Sequence, residues 1–140
     1  MPDFKEAAKR HWDDAEYLFV GARLPNADQL YGIAAECALK AIMFGLGMKV
    51  DQSSGRPMEK KHAQHINKLW SEYGVFVSGR QRAKYWAPLS AFPAPFKGWS
   101  IYDRYEASSK TKQANVIQHQ TATGKVLMVL DMAVIDGVVR

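Results

Sequence analysis

The sequence has little that would serve a covalent crosslink or a membrane span. Its 140 residues include one cysteine, Cys37, so no disulfide can form within the chain. No stretch reaches the roughly 20 consecutive apolar residues that a membrane-spanning helix needs. Residues 1–10 carry charges where a signal peptide has an apolar region. We therefore expect a cytoplasmic protein that does not enter a membrane.

The motifs of several large enzyme classes are also missing. There is no glycine-rich phosphate loop, no Gly-x-Ser-x-Gly nucleophile elbow and no zinc-binding pattern. Cys37 lies among apolar helix positions, where a cysteine usually acts as a small buried hydrophobe. We expect no cofactor and no metal.

The composition is that of one ordinary globular domain. Hydrophobic residues make up 47% of the chain and charged residues 24%, and the length suits a single core spanning residues 1–140. The net charge of +5 is concentrated in the middle, because residues 49–125 hold thirteen Lys and Arg but five Asp and Glu. This basic region suits a phosphate or an acidic partner, or it is a solvated basic surface.

Apolar residues recur every three or four positions in the first two stretches, which predicts two helices. Asp3, with Glu6 three residues later, predicts an N-cap for a first helix that ends near Arg23. Asn26 and Gln29 predict the cap of a second helix, which ends near Gly45 or Gly47. The short connection makes the two helices antiparallel neighbours.

The second half of the chain alternates between helices and turns. A polar loop over 49–60 precedes a third helix, and Ser78 with Gln81 predicts the cap of a short segment that runs through Trp86. Prolines then predict an extended connection. A last helix begins after Ser109 and ends at Gly137. The predicted apolar residues of the third helix are Ala63, Ile66, Leu69, Trp70 and Tyr73. One face of the last helix is marked by Val116, Ile117, Gln120, Thr123, Leu127, Leu130 and Val134.

These elements predict an all-α fold, an antiparallel bundle of four main helices plus one short helix. The segment Leu30–Ile42, LYGIAAECALKAI, resembles the signature helix of the HEPN family, the higher eukaryotes and prokaryotes nucleotide-binding domains. His62, His65, Ile66 and Leu69 resemble that family's next helix, and Trp99–Glu106, WSIYDRYE, is similar to its aromatic-Arg-Tyr segment.

The resemblance implies a HEPN-like bundle that is commonly a homodimer. Such domains occur as ribonuclease toxins in toxin-antitoxin systems, as partners of nucleotidyltransferases and as noncatalytic binders of RNA or nucleotides. Catalytic members carry an Arg followed after four to six residues by a His, and Arg56 and His62 have that spacing. The resemblance thus implies metal-independent RNA cleavage by these two residues, although Arg56 lies in a loop instead of a helix.

Glu36 and Lys40 stand four residues apart, which suits an ion pair within one helix. The alternative is a functional pair that lies along a groove and holds Arg104 toward a phosphate. Asp103, Arg104 and their neighbours Tyr102 and Tyr105 form a short extended segment that can stack a base and contact a phosphate. It can equally be a lid whose aromatic rings plug the open end of the bundle while Arg104 pairs with Glu36.

A second candidate ligand site is the basic start of the third helix, with Lys61, His65 and Lys68. A helix N-terminus presents free amide groups to an anion, and the lysines attract one. Our leading hypothesis is a HEPN-like binding or regulatory module for a nucleotide, RNA or an acidic protein partner. The alternatives are a ribonuclease and a structural dimerisation domain.

Overall fold

A computed structural model describes residues 2–79 and 82–140, and in this part of the chain the fold is all-helical. These residues form four α-helices, and the only β pairing among them is an isolated bridge between Val50 and Pro57. The helices are α1 (Phe4–Val20), α2 (Leu24–Gly45), α3 (Ile66–Phe76) and α4 (Gln113–Ile135), with short 3-10 helices at Lys60–His62, Ala83–Tyr85, Ile101–Tyr105 and Ser108–Lys110. The predicted all-α class is confirmed.

Helix α1 begins as the sequence predicts, because the Asp3 carboxylate accepts a hydrogen bond from the Glu6 amide at 2.9 Å. Helix α2 differs from its prediction. It begins at Leu24 with Pro25 in the first turn, so Asn26 lies inside the helix and does not cap it. The Gln29 side chain donates instead to the Ser100 carbonyl. Helix α2 ends at Gly45, as expected, and Gly47 has a positive φ of 102°.

Helix α2 is the centre of the bundle, and it contacts each of the other three helices. Thirteen of its 22 residues are buried. The largest fully buried side chains around it include Leu39, Ile42, Met43, Ile66, Leu69, Tyr73, Phe96, Trp99 and Leu130. Within the described residues, no helix is both long and apolar enough to cross a membrane.

Helix α4 continues without interruption to Ile135, and Gly137, with a positive φ of 77°, follows its end. Its buried face is rotated slightly from the predicted one, since Ile117 is exposed and His119 is buried. The face is defined by Val116, His119, Ala122, Thr123, Val126, Val129, Leu130 and Ala133.

The connection from α3 to α4 differs most from expectation. Ala63 precedes α3, and the Ser78 hydroxyl donates to the Val75 carbonyl at the end of α3 instead of capping the next segment. Gln81 lies outside the described residues. The proline-rich stretch is wound into consecutive turns, not extended, because its amides bond to carbonyls three or four residues earlier, as in Leu89 to Trp86. These turns allow Phe96 and Trp99 to reach the core.

Candidate functional site

A cleft of about 730 Å³ lies at the beginning of α2 and of α4, beside the segment 94–112 that covers this end of the bundle. Pro25 and Asp28 reach it from α2, and Gln118 and His119 reach it from α4. Its volume is within the range of about 300–1,000 Å³ typical of small-molecule sites.

Asp28 and His119 form a buried pair in the wall of the cleft. His119 Nδ1 lies 2.6 Å from Asp28 Oδ1, and the two residues are 4% and 9% exposed respectively. The His119 ring also stacks on Phe96, with 5.4 Å between centroids. When Asp28 is ionised, its carboxylate only accepts hydrogen bonds, so Nδ1 then carries the hydrogen and donates it. The pair fixes the ring orientation and the tautomer.

The second ring nitrogen of His119 is available to a ligand. Among the described residues, Gln29 Oε1 is the one completely buried side-chain nitrogen or oxygen without a hydrogen bond. Nε2 of His119 has no hydrogen bond to the described residues and is not one of their completely buried unpartnered atoms, so it keeps contact with solvent. Because His119 lines the cleft, the cleft is where this nitrogen can meet a ligand.

Trp99 anchors the covering segment to α2. Its indole Nε1 donates to the Asp28 carbonyl at 3.0 Å, and its ring lies directly over Gly32. A Cβ at position 32 would come within 2.2 Å of the indole Cε2, so only glycine permits this approach. Gln29 adds a 2.8 Å bond to the Ser100 carbonyl. The cleft therefore has a fixed wall rather than a loose loop on this side.

The residues after Trp99 form a 3-10 helix, which corrects the prediction of an extended segment. Ser100 caps it by accepting from the Tyr102 amide, and Asp103 accepts in return from the Ser100 amide at 3.0 Å. Arg104 is exposed and its guanidinium lies 4.8 Å from the centroid of the Tyr105 ring. The lid hypothesis is wrong for Tyr102 and Tyr105, whose rings are exposed, whereas Trp99 just before them is buried.

The cleft is lined by equal numbers of carboxylates and lysines, but two of the lysines have no ion-pair partner among the described residues. Asp28 is bonded to His119, Asp103 caps the 3-10 helix, and Glu106 lies 3.8 Å from Lys110. Lys97 and Lys112 also line the cleft, and neither forms an ion pair with residues 2–79 or 82–140. The start of α2 beside them has no side-chain cap. This combination favours an anionic ligand.

Glu36 and Lys40 form the predicted ion pair, with 2.9 Å between Oε2 and Nζ, but they do not hold Arg104. The other Glu36 oxygen is 2.9 Å from Nδ1 of His65, at the N-cap position of α3. The predicted pairing of Arg104 with Glu36 is wrong, because the 3-10 helix turns Arg104 onto Tyr105. The structure instead brings together Glu36, Lys40 and His65 from the two predicted sites.

Arg56 and His62 occupy different environments. Arg56 is exposed in the loop before α3, where its carbonyl accepts from the Asp51 amide. His62 is 5% exposed and lies edge-on to the Phe76 ring. Lys61 and Lys68 line a shallow depression beside α3, and Lys61 pairs with Glu59 at 3.4 Å. The catalytic role of Arg56 and His62 stays a prediction.

Sequence reasoning missed Asp28, His119, Lys97 and Lys112 as site residues. One signal was present, since His119 follows Val116 by three positions and precedes Thr123 by four, which places it on the predicted apolar face of the last helix. A histidine on such a face needs a polar partner. That partner, Asp28, is 91 residues away in the chain.

Comparisons with protein-family models, curated proteins and solved structures find no match to this chain. Among the described residues, no group of three or more His, Cys, Asp or Glu side chains could hold a metal ion. The cleft and its charges are therefore the features that indicate a function.

Proposed function

We propose that this chain is a HEPN-like nucleotide-binding module whose cleft between α2 and α4 receives a phosphate group. The observation that carries the proposal is the position of Lys97 and Lys112, which line the cleft without an ion-pair partner among the described residues, while each cleft carboxylate is hydrogen-bonded or ion-paired. A phosphate would form charge-assisted hydrogen bonds with these two lysines.

The size and polarity of the cleft suit a nucleotide. Asn115 and Gln118 add amide groups that can donate to or accept from a base or a sugar, and Nε2 of His119 adds a third polar contact. In a site of this volume, a small number of well-placed polar groups is enough to orient a small ligand. The sequence resemblance of Leu30–Ile42 to the HEPN signature helix supports the same ligand class.

Calorimetric titration with adenosine 5′-monophosphate and with adenosine tests the proposal. We expect binding of the monophosphate, and at least about tenfold weaker binding to the Lys97→Gln/Lys112→Gln variant, about 1.4 kcal/mol. Lys125→Gln is the matched control, since Lys125 is an exposed lysine of α4 that does not line the cleft. Equal affinity for adenosine, or equal effects of the variant and the control, would refute a phosphate site here.

The buried Asp28 and His119 pair favours a second candidate, cleavage of RNA at the same cleft. A histidine oriented by a carboxylate can accept a proton through Nε2 and return it to a leaving oxygen. The 2.6 Å bond and the position of His119 in the lining of the cleft are the observations behind this candidate. It moves the catalytic histidine from His62 to His119.

An RNA cleavage assay distinguishes the two histidines. If the cleft is catalytic, His119→Ala and Asp28→Asn lose cleavage of single-stranded and structured RNA, and His62→Ala retains it. Loss in His62→Ala together with full activity of His119→Ala would instead support the pair of Arg56 and His62. Circular dichroism of each variant checks that the helices remain intact.

A further inference from the structure

Two tyrosines project from the 3-10 helix Ile101–Tyr105 next to the cleft. Tyr102 is 69% exposed and Tyr105 is 74% exposed. A 3-10 helix has three residues per turn, so side chains three positions apart lie one above the other. The two rings therefore share one side of the helix.

The helix that carries these rings is held in place at its start. Ser100 and Asp103 form a reciprocal cap, Gln29 donates to the Ser100 carbonyl, and the Trp99 indole is buried against Gly32. Fixed backbone lowers the entropy cost of binding through the side chains it presents. Two exposed rings on such a support form a ready surface for flat ligands.

The surroundings of the rings are cationic. The Arg104 guanidinium lies 4.8 Å from the Tyr105 centroid, on one face of that ring. Residues 97–112 contain four basic and two acidic side chains, and both acids, Asp103 and Glu106, are engaged in the contacts described above. The partner that matches aromatic faces combined with positive charge is a chain of bases and phosphates.

The segment that carries the two rings also contributes residues to the lining of the cleft. Asp103 and Glu106 line the cleft, and Tyr102 and Tyr105 directly precede them in the chain. A strand with one phosphate in the cleft would therefore pass beside the two rings. A free mononucleotide would fill the cleft and leave the rings uncovered.

We infer that the ligand is a single-stranded oligonucleotide, whose bases stack on Tyr102 and Tyr105 while a phosphate occupies the cleft. The inference rests on the proposed function for the phosphate position, but the stacking surface is tested separately. It makes the module a binder of strands, with the mononucleotide as the smallest fragment that it recognises.

Fluorescence anisotropy with a labelled octa-adenylate RNA, and with its DNA counterpart, tests the inference. Stacking on an aromatic ring contributes to affinity at each stacked base, so Tyr102→Leu/Tyr105→Leu should weaken octa-adenylate binding at least about tenfold. The same variant should leave adenosine 5′-monophosphate affinity unchanged. The control is Tyr17→Leu, which removes another highly exposed tyrosine, from α1. Equal loss with RNA and DNA is expected for stacking, whereas loss with RNA alone would indicate recognition of the 2′-hydroxyl.

The outcomes separate the two proposals. Octa-adenylate that does not bind, or binds equally to the double variant and the control, overturns the stacking surface even if the monophosphate binds. Monophosphate that does not bind overturns the cleft, whatever the oligonucleotide does. A dimer in light scattering that becomes a monomer in the double variant would make this surface an interface between copies, and it would also overturn the inference.

Discussion

Gly32 and Gly124 are both helical, but one added methyl group should affect them in opposite ways. Position 32 has Trp99 atoms within 2.2 Å of the added carbon, whereas position 124 has an ordinary 3.5 Å contact with Trp12. Gly32→Ala must displace the indole, so we expect a loss of about 1–3 kcal/mol in the free energy of unfolding. Gly124→Ala should gain up to about 1 kcal/mol from helix propensity.

Urea denaturation of the two variants checks this pair of predictions. Because the indole also anchors the cleft, Gly32→Ala should weaken monophosphate binding as well as stability. Equal stability of the two variants would contradict the close approach of Trp99 to α2.

Cys37 illustrates how burial controls reactivity. Burial raises the pKa of its thiol to about 11. The thiolate is the reactive form, so few molecules react near neutral pH. We expect iodoacetamide to modify folded protein at pH 8 far more slowly than urea-unfolded protein, as measured by mass spectrometry. Equal rates would show that Cys37 is accessible and ionised.

At the scale of elements, the end of α4 is tied to the 3-10 helix Ala83–Tyr85 by a pH-dependent contact. Lys84 Nζ and the Tyr85 hydroxyl each lie 2.7 Å from Asp136 Oδ2. These contacts hold the pKa of Asp136 below its usual value, and the contact with Lys84 has the largest effect. A carboxyl group whose pKa is lowered by folding adds stability at pH values above its ordinary pKa of about 3.9. That added stability is lost as the pH falls through the lowered pKa.

Asp136→Asn should therefore lower the Tm at pH 7, and the difference from the unmodified protein should shrink toward pH 2. Thermal denaturation followed by circular dichroism measures both. Asp13→Asn is the control, because Asp13 is exposed and forms no ion pair within the described residues. A difference that stays constant from pH 7 to pH 2 would contradict the lowered pKa.

Apolar periodicity predicted the four long helices, because each buries one face against the same core. It failed where short-range hydrogen bonds decide the backbone. The proline-rich stretch was expected to be extended, but its amides find carbonyls a turn earlier. Asn26 was expected to cap α2, but Pro25 already suits the first helical turn and the helix begins at Leu24.

At the scale of the whole molecule, the candidate site depends on contacts between distant parts of the chain. The ion pair of Glu36 and Lys40 is local, with a spacing of four residues, and it was predicted. The pairs of Asp28 with His119 and of Gln29 with Ser100 join residues 91 and 71 positions apart. Periodicity shows which face is buried, but the packing of α2, α4 and the 94–112 segment decides which polar groups meet there.

The same packing separates two basic regions that the net charge alone does not distinguish. One comprises Lys97 and Lys112 at the cleft, and the other comprises Lys61 and Lys68 beside α3. The cleft has a buried polar wall, whereas the depression beside α3 is shallow and exposed. We therefore expect the first region to select a ligand and the second to add nonspecific attraction.

An NMR titration of isotope-labelled protein with adenosine 5′-monophosphate tests whether the cleft binds a phosphate. We expect saturable shifts in the backbone amides of His119, Asp28 and Lys112 and in the imidazole nitrogens of His119, with little change at Lys61 and Lys68. Shifts confined to the start of α3, or no saturable shift at the cleft, would contradict it.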